Sequence, residues 1–169
     1  MNQTDFLHKV MPFKDKVFRL AKRLLVSNDE AEDATQELYL KLWKNRKKLE
    51  SYKNVEAFAM TMTKNYCLDQ LKAKRSTNLK LVHSNYKENR ISLEREIELK
   101  DSVQRVHELM ELLPEKQKII IQLRDIESYE FEEIGKILDL KPTAVRVALS
   151  RARKTIREQL IKQYNYGIS

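Results

Sequence analysis

The clearest chemistry in this 169-residue chain sits near its C-terminus, in Thr143, Arg146, Ser150, Arg151, Arg153, Lys154 and Arg157. At 100° per residue these side chains share one side of a helix, with Arg151 at the flank. Val145, Leu149, Ala152 and Ile156 recur at helical spacing on the other side. Guanidinium and ammonium groups neutralise phosphates, and Arg, Ser and Thr can hydrogen-bond base edges. The mixture therefore suits a helix lying in a DNA major groove. A second set lies upstream, where Lys64, Asn65, Asp69, Gln70, Lys72, Lys74 and Arg75 alternate with Tyr66, Cys67 and Leu71. Such a combination can follow a phosphate backbone while amides and aromatics read or stack bases.

The charge balance agrees with a polyanionic partner. Lys and Arg number 33 against 25 Asp and Glu, a formal charge of +8. Nothing in the chain reads as a membrane span, and MNQTDFLHKV lacks the apolar run of a signal peptide, so membrane insertion is not expected and a cytoplasmic location is. One cysteine, Cys67, rules out an internal disulfide, and with His8, His83 and His107 scattered no metal site or cofactor is expected. The chain carries no Gly-rich phosphate loop, nucleophile elbow or Ser, His and Asp set on a shared element. Its carboxylates read as solvated, and the adjacent or alternate pairs, Glu132 with Glu133, Glu94 with Glu96 and Glu96 with Glu98, do not share a helix face. An enzyme is not expected.

Two glycines and three prolines leave little punctuation for a β-rich fold, so the chain reads as all-α. A first amphipathic helix covers Phe13 to Val26. Ser27, Asn28 and Asp29 offer N-cap chemistry for a second, from about Glu30 to Asn45, with Ala31, Ala34, Leu38 and Leu42 facing its core. Arg46 to Lys53 reads as a basic loop, followed by a helix carrying Val55, Phe58, Ala59 and Met62 and continuing into the basic set above. Periodicity fades from Ser76 to about Glu94, which places a flexible linker at 76–94 and domains at 1–75 and 95–169. Helical spacing resumes at Leu93, Ile97, Val103, Val106, Met110 and Leu113. Pro114 then fits a first helical turn before a buried helix, Lys116 to Arg124. Phe131, Ile134 and Leu138 form the first helix of a helix-turn-helix, with Gly135 expected where a second helix crosses closely. Asp139 supplies a left-handed turn residue, and Pro142 opens the cationic helix.

The stretch from Ala31 to Trp43, AEDATQELYLKLW, is similar to the polymerase-binding helix of sigma-70-family initiation factors, in the extracytoplasmic-function (ECF) subfamily. The resemblance covers roughly residues 10 to 75 and 100 to 160, with the motifs in the family's order, and implies a factor that directs core RNA polymerase to promoters. It assigns polymerase contact to Glu32, Asp33, Gln36, Glu37 and Lys41. The Asn65 and Asp69 spacing resembles the promoter-melting helix. The resemblance thus implies capture of the melted minus-10 strand by Tyr52, Asn54 and Asn65, with Lys64, Lys72, Lys74 and Arg75 beside them, although the loop before that helix is shorter than in many members. Reading of the double-stranded minus-35 element falls to the C-terminal cationic set. Relatives often carry Thr, Val, Lys or Arg, Ser, Arg and Leu where this chain has Ala144, Val145, Arg146, Val147, Ala148 and Leu149. That difference shifts the polar contacts onto Arg146, Ser150, Arg151 and Arg153. An anti-sigma factor is implied as a further partner. The alternative is a polymerase-independent helix-turn-helix regulator whose N-terminal helices dimerise or sense a ligand.

Overall fold

The computed structural model describes residues 1–77 and 102–168, with side chains to Asn165; among the described residues every regular element is helical. The first is one that periodicity did not single out, α1 (Gln3–Val10), capped by Asn2, whose side chain accepts from Asp5 N at 2.8 Å. It buries Phe6 and Val10, the Phe6 ring meeting the edge of Trp43 at 5.0 Å. A short 3₁₀ turn, Met11–Phe13, leads into α2 (Lys14–Leu25), whose apolar positions Val17, Leu20, Ala21 and Leu24 are almost wholly buried. The expected cap at Ser27 forms, its hydroxyl accepting from Glu30 N, and α3 (Asn28–Lys44) buries the expected Ala31, Ala34, Leu38 and Leu42. The basic stretch after it is not all loop. Arg46–Leu49 closes a helical turn, α4, because Leu49 has a fully buried place to fill. Next comes α5 (Val55–Thr77). Ser76 and Thr77, expected in the linker, belong to its end, each hydroxyl bonding back to Ala73 O. Residues 78–94 of the expected linker, together with Leu93 and Ile97, lie outside the described residues.

The C-terminal half starts at α6 (Ser102–Glu111). Pro114 is the N-cap of α7 (Glu115–Ile121) rather than part of its first turn. The helix expected to run to Arg124 instead widens into a π turn, Gln122–Ile126, closed by Glu127 N donating to Gln122 O at 3.1 Å. Then α8 (Phe131–Leu138) and α9 (Pro142–Ile168) form the helix-turn-helix, and Asp139 is left-handed at φ 54°, as its place in the turn requires. Gly135 has a different role from the one spacing suggests. A Cβ there would meet its own turn, 2.5 Å from the Leu140 carbonyl oxygen, rather than a side chain of the crossing helix. The turn folds back so tightly because Leu140 N donates to Gly135 O at 2.8 Å.

The two halves share one contiguous buried cluster, in which α2 packs on α3, α5 and α7 while α8 lies against α5. Polar groups cross the same boundary. Arg19 grips Glu127 with two nitrogens, at 2.6 and 2.8 Å, and buried Arg23 donates to Gln122 Oε1 at 2.8 Å and to His107 O at 2.9 Å. Glu127 and Glu108 are buried, against the expectation that the carboxylates are solvated. Glu127 is held by Arg19 and by the Gln122 amide at 3.1 Å.

Candidate nucleic-acid and polymerase interfaces

Recognition chemistry needs exposed side chains on a rigid element, and α9 provides one. Its buried stripe, Val145, Ala148, Leu149, Ala152 and Ile156, packs on α6, α7 and α8. Thr143, Arg146, Ser150, Arg151, Arg153, Lys154 and Arg157 are all exposed, as the periodicity implies. Two of the arginines are not free-swinging. The Arg146 guanidinium stacks on one face of the Phe131 ring at 4.9 Å, and Arg124 stacks on the same ring at 4.5 Å. Arg153 pairs with both oxygens of Asp125, at 2.5 and 3.0 Å, an ion pair that holds its guanidinium above the ordinary arginine range. Asp125 lies within the π turn, so the pair ties that turn to α9. Sequence periodicity missed Phe131, Arg124 and Asp125 as companions of the cationic face. The pairing of an aromatic and an acid with Arg146 and Arg153 spans turns that only the fold closes.

The upstream set divides into three. Asn65 and Lys72 stand exposed on α5. Lys64 points to the C-terminal half, where its ammonium donates to Ile137 O at 2.9 Å. Burial there holds its pKa below the usual lysine range, partly countered by Asp139. Arg75 faces the same way and pairs with Glu115 at 2.8 Å, while Lys74 pairs instead with Glu30 of α3. Tyr52 is partly exposed and packs on Phe58 with ring centroids 4.7 Å apart and the planes tilted by 41°, giving an aromatic pair at the start of α5. Asn54 is occupied as that helix's cap, its Oδ1 accepting from Ala57 N at 2.9 Å. The expected minus-10 residues are therefore spread along α5 and not gathered into one pocket.

On α3 the residues Glu32, Asp33, Gln36 and Glu37 are exposed on the side away from the buried stripe, with Leu40 among them at 54% exposure. Lys41 sits at the edge of that face, its ammonium 5.1 Å above the Tyr66 ring of α5. The resulting surface is acidic and amide-bearing with an apolar centre, and it runs the length of a rigid helix packed on α2 and α5. It suits a protein partner with a basic groove better than it suits DNA. Among the described residues no group of His, Cys, Asp and Glu is arranged to hold a metal.

Comparison with known proteins matches both halves. A family model described as Sigma-70 region 2 covers residues 10–77, and one described as Sigma-70, region 4 covers residues 103–156. The chain is 23% identical over 169 residues to the ECF RNA polymerase sigma factor SigW of Bacillus subtilis (strain 168), spanning 94% of this chain and 90% of that protein. It is 27% identical over 168 residues to the ECF RNA polymerase sigma-E factor of Escherichia coli (strain K12), spanning 92% and 86%. Among solved structures, the sigma factor RpoE in complex with the anti-sigma factor NepR from Bartonella quintana superposes with a TM-score of 0.71 at 18% identity, over 92% of this chain and 96% of that one. The structure of CnrH in complex with the cytosolic domain of CnrY gives 0.69 at 18% identity, over 95% and 90%.

Proposed function

The chain belongs to the sigma-70 family of transcription initiation factors, in its ECF subfamily, and from that premise we propose how its residues divide the work of initiation. As a sigma factor it binds core RNA polymerase and directs it to promoters, a role that is not enzymatic. The match of residues 10–77 to region 2 leaves no place for the reading as a polymerase-independent regulator. In our reading residues 1–75 form the unit that docks polymerase and opens DNA, and residues 95–169 the unit that reads the minus-35 element. Asp33, Gln36 and Glu37 of α3 make the central polymerase contact, with Glu32 and Lys41 at its margins. Asn65 and Lys72, exposed on α5, meet the melted minus-10 strand first. Lys64 and Arg75 join them once α8 and α7 move away, Lys74 extends the basic track, and the Tyr52 and Phe58 pair offers a stacking surface with Asn54 beside it.

On α9, Arg146 reads a base edge from the first two turns, while Arg153, Arg157 and Lys154 anchor phosphates, and Thr143, Ser150 and Arg151 complete the contact. An anti-sigma factor is a further partner, supported by the two solved neighbours, both of which are such complexes. The location is cytoplasmic, a reading supported by the absence among the described residues of any helix long and apolar enough to cross a membrane.

The observation that carries this division is the pairing of an exposed acidic face on α3 with an exposed cationic face on α9 inside the two matched regions. The test is reconstitution with core polymerase. The parent chain confers initiation at selected promoters, and Asp33→Lys with Glu37→Lys weakens core binding by about tenfold or more. Unchanged core binding by the double reversal, with the helical circular dichroism of the parent, would refute the assignment of α3.

A further inference from the structure

Val147 stands at the middle of the outward face of α9, between Thr143, Ser150, Arg151 and Lys154, and is 49% exposed. A β-branched apolar residue is not there for helix propensity, since an exposed helical site favours Ala, Lys or Glu. Nor does it belong to the core, because the buried stripe of α9 lies on the opposite side. Together with Ala144, Ala148 and Pro114 it lines an open hollow between α9 and the start of α7, whose remaining lining is Thr143, Gln117, Lys116 and Arg151. The hollow thus joins apolar groups to two cations and two neutral polar groups.

We propose that Val147, assisted by Ala144 and the Thr143 methyl, is a specificity-determining residue that reads the 5-methyl group of thymine in the promoter duplex. The inference rests on α9 being the element that enters the major groove. The other groups that mark a base pair there are hydrogen-bond donors or acceptors, apart from the small C5–H of cytosine, so the thymine methyl is the feature that best fills an apolar side chain's contact. A small apolar spot flanked by Arg151 and Lys154 suits a polyanion that presents a methyl group, whereas a protein or lipid surface would be met by a broader apolar patch. Ala144 and Val147 then supply shape and methyl contacts in place of polar base contacts, and the preferred minus-35 sequence carries thymine opposite them.

The test uses holoenzyme reconstituted from core polymerase and the full chain. A preferred duplex is selected from a randomised minus-35 library, and each thymine in it is then replaced singly by uracil, which lacks only the methyl. The expected result is a loss of about three- to fourfold at one or two positions, the worth of one buried methyl. With Val147→Ala the same replacements cost less than about 1.5-fold, and Val147→Thr, which keeps one methyl, falls between. Alanine raises helix propensity at an exposed site, so folding is not at stake. A selected site indifferent to uracil, one without important thymines, or Val147→Ala retaining the parent's discrimination each overturns the inference while leaving the sigma function standing. Failure of the parent to select any minus-35 sequence overturns both the inference and the reading of α9 on which it rests.

Discussion

Replacing Gly135 by alanine should damage the helix-turn-helix even though alanine is the better helix former. The added Cβ lies 2.5 Å from the Leu140 carbonyl oxygen, whereas carbon and carbonyl oxygen ordinarily keep about 3.3 Å apart or more. Relief requires the turn to move by roughly 0.8 Å, and the atom struck is backbone, so no side-chain rotation can supply it. Moving the turn stretches the Leu140 N to Gly135 O bond of 2.8 Å and shifts Pro142, where α9 begins. Overpacking of this kind costs about 1 to 3 kcal/mol, against which helix propensity returns at most about 1 kcal/mol. The expected net loss is about 1 kcal/mol and no more than about 2 kcal/mol, read from the urea midpoint followed by circular dichroism at an unchanged slope. For a chain of 169 residues it corresponds to a fall in Tm of about 2 to 4 °C and no more than about 8 °C. Specific DNA binding by the holoenzyme should fall by more than stability alone explains, because α9 is re-aimed. Equal or greater stability in Gly135→Ala would refute the crowding argument and leave propensity as the stronger effect.

Three further outcomes rest on single side chains. Val26 caps α2 at φ 69°, a left-handed strain of about 1 to 2 kcal/mol for a β-branched residue, so Val26→Gly should gain about 0.5 to 1 kcal/mol in urea denaturation after the glycine's entropy is counted. His107 is held below its ordinary value of 6.5 by burial first and then by Arg23 and Lys22, whose cations oppose a second positive charge. The unfolded chain therefore binds the proton more readily, and stability drops as pH falls through 6.5, levelling only below the depressed folded value. His107→Gln should remove a slope of no more than about 1.4 kcal/mol per pH unit from urea titrations at pH 7 and below. Cys67 is wholly buried, and burial pushes its thiol up to about 12, so pulsed iodoacetamide at pH 8 should label it only as fast as the chain opens; rapid labelling without denaturant would contradict that burial.

The helices were legible where an apolar stripe repeats over three or more turns, as in α2, α3, α5 and α9, and where a cap or left-handed residue marks an end, as at Ser27 and Asp139. What periodicity does not carry is any interaction whose partner is distant in sequence. Arg19 and Arg23 read as ordinary solvated cations of an amphipathic helix, yet their partners lie around the π turn, in a run of residues with no glycine or proline to signal it. The same applies to the site residues. Exposure of Arg146 and Ser150 follows from the helix alone, while the engagement of Lys64, Arg75 and Arg153 with Ile137, Glu115 and Asp125 depends on how the elements close. Exposure of Val147 was also legible from its angle on the helix. Its place beside Pro114 and Lys116 depends instead on how α7 packs against α9.

The boundary where Arg19 meets Glu127 and Lys64 meets Ile137 has a consequence for transcription that no single contact shows. The two promoter elements, by their names, lie roughly 25 base pairs apart, about 85 Å along the duplex. A packed chain of this length has a radius of gyration of about 15 Å, a body about 40 Å across. On the proposed division of contacts the closed form spans too little to meet both elements, so engaging both would require the halves to part along that boundary. Whatever drives that parting sets the threshold for initiation. If the closed form outweighs the open one a hundredfold, the free chain's apparent affinity for promoter DNA is about a hundredfold below that of its open state, and polymerase abolishes the handicap by holding the halves apart. On that premise the Arg19 to Glu127 pair and the buried Arg23 would favour the closed form of the free chain, and binding to polymerase would supply the free energy that parts them.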